Sequence, residues 1–85
     1  MTNTPTPDTF IGRVYAVAKR RKVRGVTSAE VVYTLSNGNP TTRMVRKAAQ
    51  ALARLAERGL LERHEERGES RDGRSLMVWR YRVPQ

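Results

Sequence analysis

The sequence predicts an α+β domain in which three helices precede a two-stranded β-hairpin, and three observations carry that expectation. Phe10, Val14, Val17 and Ala18, then Val31, Val32 and Leu35, then Val45, Ala48, Leu52 and Leu55 recur at the spacings of one helix face. Further on, Met77, Trp79, Tyr81 and Val83 alternate with Val78, Arg80 and Arg82, which is the period of a strand. Clusters of turn formers separate these segments, the densest being Ser36-Asn37-Gly38-Asn39-Pro40. A chain of 85 residues suffices for one core and is too short for two.

Taken in order, residues 1–8 are expected to be a disordered tail and 9–85 the folded domain. The stretch from Met1 to Pro7 is polar and rich in Thr and Pro, with nothing apolar to bury. Asp8 or Thr9 caps a first helix running to about Arg20, flanked by Ile11 and Tyr15 and closed by Gly25. Thr27 and Glu30 form a capping box, and Val26 and Val31 a hydrophobic staple, so the second helix starts at Ser28. The third runs from about Thr41 to Arg58, with Gly59 placed to take the positive φ of a C-cap. Leu60 to Glu66 and Leu76 to Val83 read as strands joined by a polar loop from Arg67 to Ser75, and on this reading Trp79 and Tyr81 point into the core.

Composition narrows the class of function. Seventeen Lys and Arg stand against eight Asp and Glu, a formal charge of +9 that calls for an acidic partner, most commonly nucleic acid. With no cysteine there are no disulfides or thiolate metal sites. His64, the single histidine, has neither Cys nor a second His beside it and reads as a half-exposed strand position. No nucleophile or pocket signature accompanies Glu65 and Glu66, so neither an enzyme, a cofactor nor a small-molecule ligand is expected. No apolar run approaches the ~20 residues of a membrane span, and the expected location is the cytoplasm.

The passage Leu52-Ala-Arg-Leu55-Ala-Glu-Arg-Gly59-Leu60-Leu61-Glu62-Arg63 resembles the "L..L...GLL.R" stretch that ends the recognition helix and enters the wing in many bacterial and archaeal regulators. These are winged helix-turn-helix proteins. Val26 to Val31 is likewise similar to the start of their second helix, and the likeness extends from about Phe10 to Val83. It implies a DNA-binding domain that inserts its third helix into the major groove and, as a homodimer, reads two half-sites. In two respects the chain departs from the pattern. The turn from Leu35 to Thr41 is longer than usual, and the sequence ends at Gln85, directly after the wing, without the extra C-terminal helix that many such regulators use to dimerise.

With Val45, Ala48, Leu52 and Leu55 turned inward, Arg43, Arg46, Lys47, Gln50 and Arg54 form an outward stripe without a carboxylate. Arg and Lys donate to guanine O6 and N7, and Gln pairs with adenine. Base reading is therefore expected from Thr41, Thr42, Arg43, Arg46, Lys47 and Gln50, near the start of that helix, and a phosphate contact from Arg54. Lys19, Arg20, Arg21, Lys22 and Arg24 place five cations in six residues, suited to a DNA backbone or to the dipole at a helix C-terminus. Ser28 and the free amides around it suit a phosphate. Arg71 and Arg74 flank the hairpin tip and suit a minor groove, or alternatively cross-strand pairing with the acids of a segment that carries four Arg and five acids between Glu62 and Ser75. Two other readings share these residues: an RNA-binding or ribosome-associated winged helix, and a protein-interaction module whose helix-three face meets an acidic partner.

Overall fold

A computed structural model of the chain describes residues 6, 8–21, 24–69 and 72–84. It has the expected α+β, winged helix-turn-helix architecture: α1 (Phe10–Arg20), α2 (Ser28–Leu35), α3 (Thr42–Glu57), β1 (Glu62–Glu69) and β2 (Ser75–Arg82). Each helix begins at a threonine whose side chain accepts an otherwise orphaned backbone N–H. Thr9 accepts from Gly12, Thr27 from Glu30 and Thr41 from Met44. At α2 the capping box is reciprocal, since the Glu30 carboxylate accepts in turn from the Thr27 N–H at 3.1 Å. The staple residues Val26 and Val31 are both fully buried.

One contact reaches into the segment expected to be a tail. The Thr6 carbonyl accepts from both the N–H and the hydroxyl of Thr9, at 3.1 and 2.7 Å. Residues 1–5 and 7 of that tail lie outside the described residues.

The core is a single cluster drawn from the three helices, β2 and the segments between them: Val14, Val17 and Ala18 of α1, Val31 and Val32 of α2, Ala48, Ala51, Leu52 and Leu55 of α3, with Val26, Leu61 and Tyr81 closing it, while β1 contributes no buried side chain among the described residues. No polar side chain is buried among the described residues. The helical periodicity locates this face with adjustments in each helix: Phe10 at the start of α1 is exposed, Leu35 and Val45 lie at the margin, half-buried, and Ala51 is buried. Small alanines at positions 48 and 51 let α3 pack closely against its neighbours, an arrangement suited to a chain with only five aromatic side chains.

Two boundaries depart from the sequence reading, for physical reasons. Leu60 and Leu61 are not strand: their N–H groups donate to the Leu55 carbonyl at 3.0 and 3.4 Å. With Gly59 at φ 77° donating to Ala56, this is a Schellman closure of α3, which uses those amides before a strand can. At the other end the ladder continues past Glu66, pairing Arg67 with Met77, Gly68 with Leu76 and Glu69 with Ser75. The expected nine-residue loop shrinks to positions 70–74, because backbone pairing recruits polar residues that side-chain polarity had assigned to a loop.

Gly25 also has a different role from the one expected. α1 ends at Arg20 with Arg21 as its cap, and Gly25 instead lies where the chain presses against β2. A Cβ there would stand 2.4 Å from the Tyr81 carbonyl oxygen, and its φ of 72° is left-handed. This close approach allows Val26 and Tyr81 to exchange backbone hydrogen bonds at 2.7 and 2.8 Å. β2 is thereby bonded on both edges and the hairpin is anchored to the helical body.

Candidate nucleic-acid interface

Helix α3 buries one face and exposes the other. Arg43, Arg46, Lys47, Gln50 and Arg54 are all exposed, as the stripe predicts, together with Thr41 and Thr42 at the helix start. The Thr41 oxygen serves as the cap, accepting from the Met44 N–H at 3.2 Å, which uses one of its two lone pairs and leaves its methyl, its hydroxyl hydrogen and one lone pair for outward chemistry. None of Arg43, Arg46, Lys47 or Arg54 forms an ion pair among the described residues. Four cations on one helix face thus lie in solvent without a counter-charge among the described residues.

The turn that presents this helix is six residues long, from Ser36 to Thr41. Asn37 and Gly38 both adopt left-handed backbone, φ 53° and 87°, conformations that Asn tolerates and Gly takes freely. Internal hydrogen bonds hold the loop: Gly38 N–H donates to the Tyr33 carbonyl at 2.9 Å, and Asn39 N–H to the Ser36 hydroxyl at 3.1 Å. The length noted in the sequence is real, and the extra residues form an ordered turn.

The hairpin treats its charges differently. Arg82 pairs with Glu62 at 2.8 Å, and Arg74 lies 3.4 Å from Asp72. Arg80, its side chain only 13% exposed, bonds Glu66 across the ladder and Glu30 of α2 at 3.0 Å. Burial by itself would lower the Arg80 pKa. The hydrogen bonds that Arg80 donates to Glu66 and Glu30, with the negative charge of those carboxylates, outweigh that and raise it. The Glu30 carboxylate therefore joins the helix cap to the hairpin, since the same oxygen accepts from Thr27 and from Arg80. Of the two expected tip residues, Arg74 has an acidic neighbour and Arg71 lies outside the described residues.

Trp79 corrects the sequence reading. It is 43% exposed, and Met77 on the same strand face is 59% exposed, whereas Tyr81 at the base of that face is 4% exposed. Alternation assigned the face correctly, but the helical body covers only the base of the hairpin. The Trp79 ring instead meets the Arg63 guanidinium, 4.5 Å from its centroid. Trp79 also lines a cleft of about 430 Å³ with Arg67 of β1, Ala49 of α3, and Thr27 and Ser28 at the start of α2. Ser28, expected at a phosphate, therefore lies in the same recess as wing residues. Arg67, which the sequence reading assigned to a loop, joins it only because of the longer ladder. Arg58 extends the exposed cationic side of α3 by one turn, a continuation the i+4 spacing from Arg54 already signals.

The basic segment after α1 is only partly described. Lys19, Arg20, Arg21 and Arg24 are exposed, and Lys22 lies outside the described residues. The Lys19 ammonium lies 5.3 Å from the Tyr15 ring centroid. The segment leads into Gly25 against Tyr81 and Arg82, so its end adjoins the base of the hairpin. His64 is exposed on β1, and among the described residues no three His, Asp or Glu side chains converge as metal ligands. No helix among them is long and apolar enough to cross a membrane. Comparison of the chain with known protein families, with curated proteins and with solved structures finds no match.

Proposed function

We infer that this chain is a sequence-specific double-stranded DNA-binding protein acting as a transcriptional regulator, and not an enzyme. In this reading α3 enters the major groove, where Arg43, Arg46, Lys47 and Gln50 read base edges and Arg54 meets a phosphate. Ser28, Arg67 and the hairpin tip flank the groove, and the cations from Lys19 to Arg24 add sequence-independent affinity. A homodimer would read two half-sites, with the protein in the cytoplasm and on the nucleoid when bound. The observation that carries this reading is the exposed, carboxylate-free face of α3, whose four cations have no ion-pair partner among the described residues, while Arg74, Arg80 and Arg82 of the hairpin do.

The test is selection from a random-sequence duplex pool with a matched RNA arm, at several salt concentrations. The expected result is an enriched, roughly palindromic duplex site, bound about 10³-fold or more above random duplex and lost with Arg46→Ala. Uniform duplex binding that only weakens with salt would overturn sequence specificity. Preferential retention of structured RNA would replace DNA by RNA as the partner.

A further inference from the structure

A second recess lies on the opposite flank of α3 from the hairpin. It occupies about 560 Å³ between the first turn of α1 and the side of α3 that carries Met44, Lys47, Arg54 and Arg58. Its apolar contribution comes from Phe10, 38% exposed, and from Ile11 and Met44, both half-buried. Lys47, Arg54 and Arg58 are exposed along it, and no carboxylate among the described residues lines it. From Met44 to Arg58 the flank is about 21 Å long at 1.5 Å per residue.

We propose that this groove docks an acidic amphipathic segment of a partner protein, with an apolar stripe on Phe10, Ile11 and Met44 and carboxylates on Lys47, Arg54 and Arg58. Charge selects this occupant over a second copy of the chain. A two-fold axis through the groove would set these three cations close to their own equivalents, which repel. Phosphate satisfies the cations but leaves the apolar floor unused, whereas a helix laid in the groove meets both. Lys47 and Arg54 also belong to the outward face of α3, so an occupied groove withdraws two cations from DNA. This consequence rests on the DNA-binding reading; the docking itself does not.

The experiment uses the full chain and two labelled synthetic peptides of about 14 residues, long enough as helices to span ~21 Å. One carries Leu at i, i+3, i+4 and i+7 with Glu between, and the other has the same composition with the stripe scrambled. Fluorescence anisotropy is expected to show the striped peptide binding at least about tenfold tighter than the scrambled one, with Met44→Glu abolishing that preference and Met44→Leu keeping it. Phe10→Ser, at a partly exposed site, serves as the second variant, and thermal melts show whether each variant is folded. Equal binding of the two peptides, or a preference unchanged in folded Met44→Glu and Phe10→Ser, would overturn the groove. Added random duplex is expected to displace the striped peptide. Simultaneous binding of both would overturn the competition and leave the docking intact, and a chain that bound the striped peptide but no duplex would refute the DNA reading alone.

Discussion

Helix α3 and the hairpin are both rich in arginine, yet the two regions use it in opposite ways. On α3 the cations Arg43, Arg46, Lys47 and Arg54 project into solvent from a helix whose own carboxylate, Glu57, sits at its last residue. In the hairpin, Arg82 faces Glu62 across the ladder, Arg80 bonds Glu66 diagonally across it, and Arg80 reaches Glu30 on α2 as well. A charge with a carboxylate within reach on the neighbouring strand contributes to the shape of the molecule; a charge without one remains available to a partner. Net charge alone does not separate these cases, whereas strand register and helix phase do.

The comparison breaks most visibly if the α3 cations are removed together. Replacing Arg43, Arg46, Lys47 and Arg54 by Gln is expected to weaken duplex binding at about 0.15 M salt by roughly a thousandfold and to flatten the salt dependence by three to four counterions. Thermal stability should hold or rise slightly, because like charges are being taken from a strongly basic surface. Anisotropy titrations across a salt series, with a melt of each protein, check both halves. Unchanged affinity would place the interface elsewhere.

Arg80 offers the converse. Arg80→Ala removes the hydrogen bonds that join Glu66 and Glu30 and leaves two carboxylates near one another, so stability is expected to fall by about 2 kcal/mol. Because the guanidinium pKa is raised, the Arg80 side of this contact keeps its charge over the whole accessible pH range, and no titration of Arg80 will release the hairpin. Urea unfolding measures the loss, and duplex affinity normalised to folded protein should change much less than in the α3 variant. If Arg80→Ala cost binding and spared stability, the division between the two regions would be wrong.

How much of this was legible in the sequence follows the same division. The three helices, the capping box at Thr27 and Glu30, and the outward stripe of α3 could be read because each depends on spacing within a single helix. The hairpin was harder, since its ladder depends on the register between two separate segments, which spacing within either one does not set. Gly59 signals the end of α3, but its apolar followers Leu60 and Leu61 look like strand and instead close the helix, and nothing within residues 67–69 says that they pair with Ser75 to Met77. Alternation points Trp79 toward the core because it gives the face of a strand but not how far along it the core extends. The groove beside Phe10 and Met44 was likewise hidden, because it joins residues from two separate helices.

Trp79 sharpens the comparison at lower amplitude. A buried Trp replaced by Ala costs about 3–5 kcal/mol, whereas a half-exposed ring whose named partner is one guanidinium should cost about 1 kcal/mol. Denaturant unfolding of Trp79→Ala distinguishes the two. A loss in the upper range would mean that the hairpin folds back over more of its own apolar face.

Arg82 should give the smallest effect, and it tests whether pairing alone makes a charge structural. Its bond to Glu62 is 2.8 Å long, yet the side chains are 38% and 46% exposed, so water competes for both ends and salt screens what remains. Exposed pairs of this kind are worth about 0–1 kcal/mol, and Arg82→Ala is expected within about 0.5 kcal/mol of the parent protein in urea unfolding. Arg80 differs in having two carboxylate partners and a side chain largely withdrawn from water. An Arg82 variant as damaging as Arg80→Ala would show that the cross-strand pair is what matters and that burial adds little. The expected gap of more than 1 kcal/mol between two arginines on one strand face would show the reverse: a hairpin cation becomes structural when it is both paired and dehydrated.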